Sequence, residues 1–94
     1  MDLDFEWDEK KQQSNLTKHR IDFEDAIGIF EGPTLVRRSD RDDETRFVAI
    51  GEVAGETIAV VYTIRGTAYR IISARRANNH EARRFQDRNT APGG

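Results

Sequence analysis

The chain has 94 residues, too few for two separate cores, and reads as one domain over residues 1–88 with a disordered tail at 89–94. Hydrophobic residues make up 36% and charged residues 34%, which excludes general disorder and leaves a thin core under a crowded, charged surface. Cysteine is absent, so there is neither a disulfide framework nor a thiolate metal site. The acidic N-terminus lacks the order of a signal peptide, and the longest apolar run, around Ile58 to Val61, is too short to span a membrane. These features point to a soluble cytoplasmic protein.

The net charge of −2 hides an asymmetry: residues 1–44 carry −6, residues 45–64 carry −1, and residues 65–94 carry +5, with arginine as the sole basic type among Lys and Arg in that last segment. Arginine suits phosphate because its planar fork donates two parallel hydrogen bonds. The plainer alternative is that these arginines pair with the N-terminal acids.

Phe5-Glu6-Trp7 alternates as a short edge strand, with Asp8 placed to cap a helix from Glu9 to about Lys18. That helix has only Leu16 as an obvious core anchor, so it is expected to be mostly exposed or to meet a partner. A second helix starts at the cap Asp22, with Ile21 placed to staple against Ala26. It turns Phe23, Ala26, Ile27 and Phe30 to one face and stops at Gly32-Pro33. From Thr34 the period changes to two. Thr34 to Arg38 is a strand, Ser39 to Glu44 a polar loop, and three further strands span Thr45–Val53, Glu56–Arg65 and Ala68–Arg75. Ala54-Gly55 and Gly66-Thr67 suit two-residue hairpins, the second of type II′. Asn78 with Glu81 resembles a capping box that opens a last helix to about Arg88. The fold class is therefore α+β: a short N-terminal strand, two helices, an antiparallel meander of three to four strands and a C-terminal helix.

Two-residue turns set the register. Thr63 then faces Arg70, Val61 faces Ile72, Phe47 faces Tyr62 and Arg46 faces Thr63. One sheet face carries Phe47, Ala49, Ile58, Val60, Tyr62, Ile64, Tyr69 and Ile71 for helices to cover. The other aligns Arg46, Thr63 and Arg70, with Arg65 further along. With strands roughly 4.8 Å apart, Arg46 and Arg70 start about 10 Å apart, a span their side chains can close around a phosphate. No acid lies directly across from Arg70 in this meander. The alternative is that both arginines pair with acids such as Glu52 or Glu56.

His19 and His80 are the side chains whose ordinary pKa suits proton transfer near neutrality. Lys18-His19 ends the first helix, where a cation also serves the helix dipole, and His80 reads as a surface residue. The acidic loop Asp40, Asp42, Asp43 and Glu44 lacks the glycine and distal glutamate of a calcium loop and reads as solvated. No metal or cofactor is expected.

The stretches FEWDEKKQQSNLTKHRIDFEDA, VVYTIR and YRIISARRANNHEARRF resemble the BrnT family in order and spacing over roughly residues 5–85. The resemblance implies a RelE-like ribonuclease toxin of a type II toxin–antitoxin pair, with an antiparallel sheet, helices on one face and basic residues on or beside the other. It also implies a BrnA-type DNA-binding antitoxin that masks the toxin in a hetero-oligomer and contacts DNA on its behalf. Lys18, His19, Arg46, Arg65, Arg70, Arg75 and Glu81 match family positions of the same residue type. Arg20 replaces a common glycine, and Phe85 replaces a common tyrosine that could serve as acid or base.

The expected mechanism is metal-independent RNA cleavage. Arg46 and Arg70 clamp the phosphate, Arg65 makes a second contact, and His19 or Lys18 transfers the proton. Arg75, Arg76, Glu81, Arg83 and Arg84 are the expected RNA-binding set. The alternative is a non-enzymatic binding module acting as a transcriptional co-repressor.

Overall fold

The computed structural model describes residues 3–89; of the tail expected at 89–94, Asn89 is the last residue of a helix and the rest lies outside the described residues. In chain order the elements are β1 (Asp4–Trp7), α1 (Glu9–His19), α2 (Phe23–Ala26) continuing into a 3-10 turn (Ile27–Glu31), β2 (Leu35–Arg38), β3 (Phe47–Val53), β4 (Glu56–Arg65), β5 (Ala68–Arg76) and α3 (Asn79–Asn89). The α+β class and element order agree with expectation.

The five strands form one sheet in the order β1-β5-β4-β3-β2. β1 runs parallel to β5, and the remaining pairs are antiparallel. The expected pairs Phe47 with Tyr62, Val53 with Glu56, Thr63 with Arg70 and Arg65 with Ala68 are all present. Both hairpins have two-residue turns. Ala54 and Gly55 have φ of 53° and 80°, whereas only Gly66 of the second pair is positive, at 59°, the pattern of a type II′ turn. The register departs from expectation at one point: Val61 opposes Ser73 and not Ile72, because a β-bulge inserts an extra residue into β5.

The first sheet face packs Ala49, Ile58, Val60, Tyr62, Ile71 and Ala74 against Ile21, Phe23, Ala26 and Ile29. The second helix does not hold the expected α-helical period. Phe23, Ala26 and Ile29 are fully buried at a spacing of three, the repeat of a 3-10 helix, while Ile27 and Phe30 are only partly buried. Room for Ile29 comes from Gly51, where a Cβ would lie 2.7 Å from the Ile29 Cβ. Ile64, assigned to this face from sequence, is 49% exposed at the end of the sheet.

The second face is not free of helices, which corrects the arrangement implied by the family resemblance. Val48, Ile50 and Ala59, flanked by Leu35, Val61 and Ala77, close around Phe85 of α3. The run Val48–Gly51 is buried throughout, as expected for a strand covered on both sides. Phe85, where a tyrosine was noted as common, is a core residue here.

α1 is held differently from expectation as well. Leu16 is 47% exposed, whereas Asn15 is 5% exposed. The Asn15 amide donates to the Ala74 and Ile21 carbonyls at 2.8 and 3.0 Å and accepts from Ala74 N–H at 3.0 Å. β1 ends at Trp7 opposite Ile71. One side-chain amide thus supplies, further along β5, the ladder bonds a longer strand would have made. Trp7, Gln12 and Asp22 form a further hydrogen-bonded chain linking β1, α1 and α2. It holds the Asp22 carboxyl below its ordinary range, through Gln12 first and the Glu24 amide second.

Candidate nucleic-acid interface

A row of polar side chains crosses the end of the second face that α3 leaves open. Thr63 on β4 stands opposite Arg70 on β5. Arg46, immediately before β3, extends the Phe47–Tyr62 register to the other side of Thr63. Thr63 is buried and its hydroxyl donates to the Thr45 carbonyl at 2.6 Å, which pins the row at its centre. Arg65, two residues further along β4, is exposed and makes no ion pair among the described residues.

Arg46 and Arg70 both have acidic partners, neither of them Glu52 or Glu56, and the partner of Arg70 is one of the N-terminal acids that the charge asymmetry offered. Arg70 Nη1 donates to Glu6 Oε2 at 2.7 Å, and Arg46 Nε donates to Glu44 Oε1 at 2.8 Å. The expectation that Arg70 faces no acid fails because β1 adds in parallel beside β5 and sets Glu6 opposite Arg70. The meander register had no place for β1. The row therefore reads carboxylate, guanidinium, hydroxyl, guanidinium, carboxylate.

The bulge at Ile72 extends this surface. In an unbroken strand Arg70 and Arg75 would point to opposite faces, since they are an odd five positions apart. The extra residue resets the alternation, so Ala74 joins the first core while Arg75, opposite Ala59, joins the second face. There Arg75 meets Glu81 with two bonds, 2.7 and 2.9 Å, and Arg37 of β2 adds a third at 3.2 Å. Asn78 and Glu81 also form the expected capping box, with reciprocal bonds of 2.9 and 2.8 Å. Glu81 is 6% exposed. The Arg75 guanidinium above all, then the Asn78 amide and Arg37, hold its carboxyl down at about 2 against the opposing effect of burial. Glu81, expected among RNA-contacting residues, thus directs its oxygens at protein donors, and the arginines it holds face outward. The Arg37 side chain is 51% exposed.

Lys18 and His19 lie on α1, where they line a shallow groove with Lys11, Ser14, Asn15, Ile72 and Ser73. They stand beside the bulge, further along β5 than Arg70. Arg76 is on the other face. Its side chain reaches the His19 carbonyl at 3.1 Å and Glu56 at 3.2 Å, so it stands apart from Arg75. Arg83 and Arg84 are exposed on α3, and Arg84 borders a hollow shared with Leu35, Val36, Arg37, Ile50, His80 and Glu81. In the acidic loop, Arg41 and Glu44 pair around Asp42 and Asp43, both at positive φ. Among the described residues no group of three or more His, Asp or Glu is placed to hold a metal ion.

Sequence reasoning missed Glu6 and Arg37. The alternation of Phe5-Glu6-Trp7 puts Glu6 opposite the apolar face, but only the position of β1 in the sheet brings it to Arg70.

These features define a small α+β domain with an arginine-bearing sheet face bordered by helices. The family comparison is specific: residues 7–81 match the model of the ribonuclease toxin BrnT of type II toxin–antitoxin systems, and the chain belongs to that family. It is similar to the Brucella abortus ribonuclease toxin, BrnT, known from a 1.1 Å crystal structure, with 36% identity and a TM-score of 0.69 over 83% of this chain and 100% of that one. No curated protein sequence matches the chain. Among the described residues no helix is long and apolar enough to cross a membrane.

Proposed function

We propose that this chain is the toxin of a type II pair, a metal-independent endoribonuclease that cuts RNA in the cytoplasm and so stops translation and growth. The observation that carries this reading is the row Arg46, Thr63, Arg70 on the open end of the second face, with the bulge turning Arg75 to the same side. Arg46 and Arg70 clamp the scissile phosphate and stabilise the charge it gathers in the transition state. Arg65 and the Glu81-held Arg75 guide the neighbouring backbone, with Arg83 and Arg84 extending the track along α3. Lys18 and His19 border the groove beside the bulge and are candidates for proton transfer. A BrnA-type DNA-binding antitoxin covers this surface and carries the complex to its operator.

The test is cleavage of RNA in EDTA by wild type, Arg70→Ala and Arg70→Lys at matched folded concentration. Loss of one preorganised donor is expected to slow cleavage by roughly 10²–10³ in Arg70→Ala. Lysine should rescue only partly, because a point charge cannot donate bidentately. Binding without cleavage by wild type would favour the co-repressor reading, which the carboxylate partners of Arg46 and Arg70 in the free protein support. Cleavage abolished by EDTA would require a metal.

A further inference from the structure

We propose that Glu6 is the base that takes the 2′-hydroxyl proton in this reaction, an inference that rests on the ribonuclease reading of the Arg70 surface. Three observations carry it. Glu6 lies on the sheet face opposite Phe5 and Trp7, both of which pack into the first core, so its carboxylate shares the open face with the arginine row. The parallel pairing of β1 with β5 sets it level with Arg70, a backbone placement that does not depend on a flexible loop. Its Oε2 accepts from Arg70 Nη1 at 2.7 Å, while Oε1 has no partner among the described residues and the side chain is 40% exposed.

A carboxylate fixed against the guanidinium that binds the phosphate is where a base must stand. The 2′-oxygen attacks the adjacent phosphorus, so its proton is released within a few ångströms of the phosphate oxygens that the arginine holds. The other proton-transfer candidates are less well placed. Lys18 and His19 belong to α1, beside the bulge and beyond the end of β1. Glu44 carries a similar bond to Arg46, but it closes the Asp42-Asp43 turn outside the regular ladder. The step balances without a further reagent. Glu6 accepts the 2′-hydroxyl proton, the O2′–P bond forms and the P–O5′ bond breaks. The 5′ oxygen takes a proton from water, and Glu6 returns its proton to solvent. The products are a 2′,3′-cyclic phosphate and a 5′-hydroxyl end.

The experiment measures single-turnover cleavage in EDTA, together with the affinity for a 2′-O-methyl RNA that cannot react, for wild type, Glu6→Gln, Glu6→Asp, Glu44→Gln and Arg70→Ala. Glutamine keeps an oxygen that can accept from Arg70 and removes the basicity together with the charge, whose loss from a side chain 40% exposed costs little stability. Glu6→Gln is therefore expected to melt within a few degrees of wild type, bind the methylated RNA within about threefold, and cleave about 10²–10⁴ times more slowly. Glu6→Asp keeps the carboxylate one methylene short and should recover part of the rate. Cyclic phosphate ends on the wild-type products are expected. Wild-type rates from both Glu6 variants, with Arg70→Ala inactive, would overturn Glu6 as the base and leave the arginine clamp standing. A rate loss in Glu44→Gln with none in Glu6→Gln would move the base to the other end of the row and overturn the proposal equally. Absence of cleavage by wild type would overturn both the ribonuclease reading and the base with it.

Discussion

Glu81 shows how one carboxylate can organise a surface without touching its ligand. It caps α3, takes both forks of Arg75 and one of Arg37, and sits almost wholly out of solvent. Its carboxyl stands at about 2 in the fold against 4.5 ordinarily, so the unfolded chain takes up the proton first as pH falls. Its contribution is complete above about pH 4.5 and is lost as pH drops toward 2. Glu81→Gln is expected to cost about 3 kcal/mol at neutral pH, since it leaves two arginines without their anion. In urea melts the gap to wild type should narrow below pH 4.5. A gap unchanged down to about pH 2 would show that the charge contributes nothing. Arg20 is a second case, in which a single backbone angle decides the outcome. It closes α1 with φ of 59° and ψ of 34°, its N–H bonded to the Leu16 carbonyl. A side chain there costs energy that glycine avoids. Arg20→Gly should therefore raise stability by about 1 kcal/mol, a few degrees in Tm. An unchanged or lower melting temperature would show that the arginine has compensating contacts.

Strand β5 illustrates how an element can depart from strict alternation to functional effect. The extra residue at Ile72 puts Arg70 and Arg75 on one face, and an arginine pair at that spacing needs such a device. Because the bulge is an insertion, removing Ile72 restores regular alternation on both sides without inverting either. The variant lacking Ile72 is expected to fold and keep Arg75 with Glu81, losing several degrees in thermal stability. Deleting the fully buried Val60 from β4, which carries no extra residue, should prevent folding, since every later side chain of that strand would change face. Equal damage from the two deletions in circular dichroism melts would contradict this reading of the bulge. The β3–β4 turn offers a gain instead. Ala54 occupies a positive φ that asparagine tolerates better, so Ala54→Asn should add roughly 0.5–1 kcal/mol through an Asn-Gly type I′ turn.

Taken whole, the molecule is acidic by formal count yet carries half of its arginines on β5 and α3, so net charge is a poor guide to what it binds. Affinity for a non-cleavable RNA should therefore fall steeply with salt. For about four phosphate contacts on a single strand the loss is roughly 50-fold between 50 and 200 mM, and a flat salt dependence would exclude the arginine face as the RNA track. Membership of a type II toxin family implies an antitoxin partner. Co-expression with the product of the adjacent gene should yield one complex on size-exclusion chromatography, with RNA cleavage suppressed. Two independently migrating species would contradict masking by that product.

Much of this architecture is local and was legible in the chain itself. Period-two alternation, the caps Asp8, Asp22 and Asn78, and the two-residue turns depend on neighbours in sequence, and they specified the strands, the helix starts and the register near each turn. The FEWDEKK, LTKH and RIISAR stretches likewise carry the family resemblance in the chain itself. What the tertiary structure alone decided are the contacts between distant segments. It placed Glu6 beside Arg70 across 64 residues of chain, gave the anchoring of α1 to Asn15 and not Leu16, and laid α3 over the second face. It also introduced the bulge that unites Arg70 with Arg75. A parallel strand pair leaves no turn to reveal its register, a buried amide carries no hydrophobic signal, and a bulge is set by the demands of two cores on one strand.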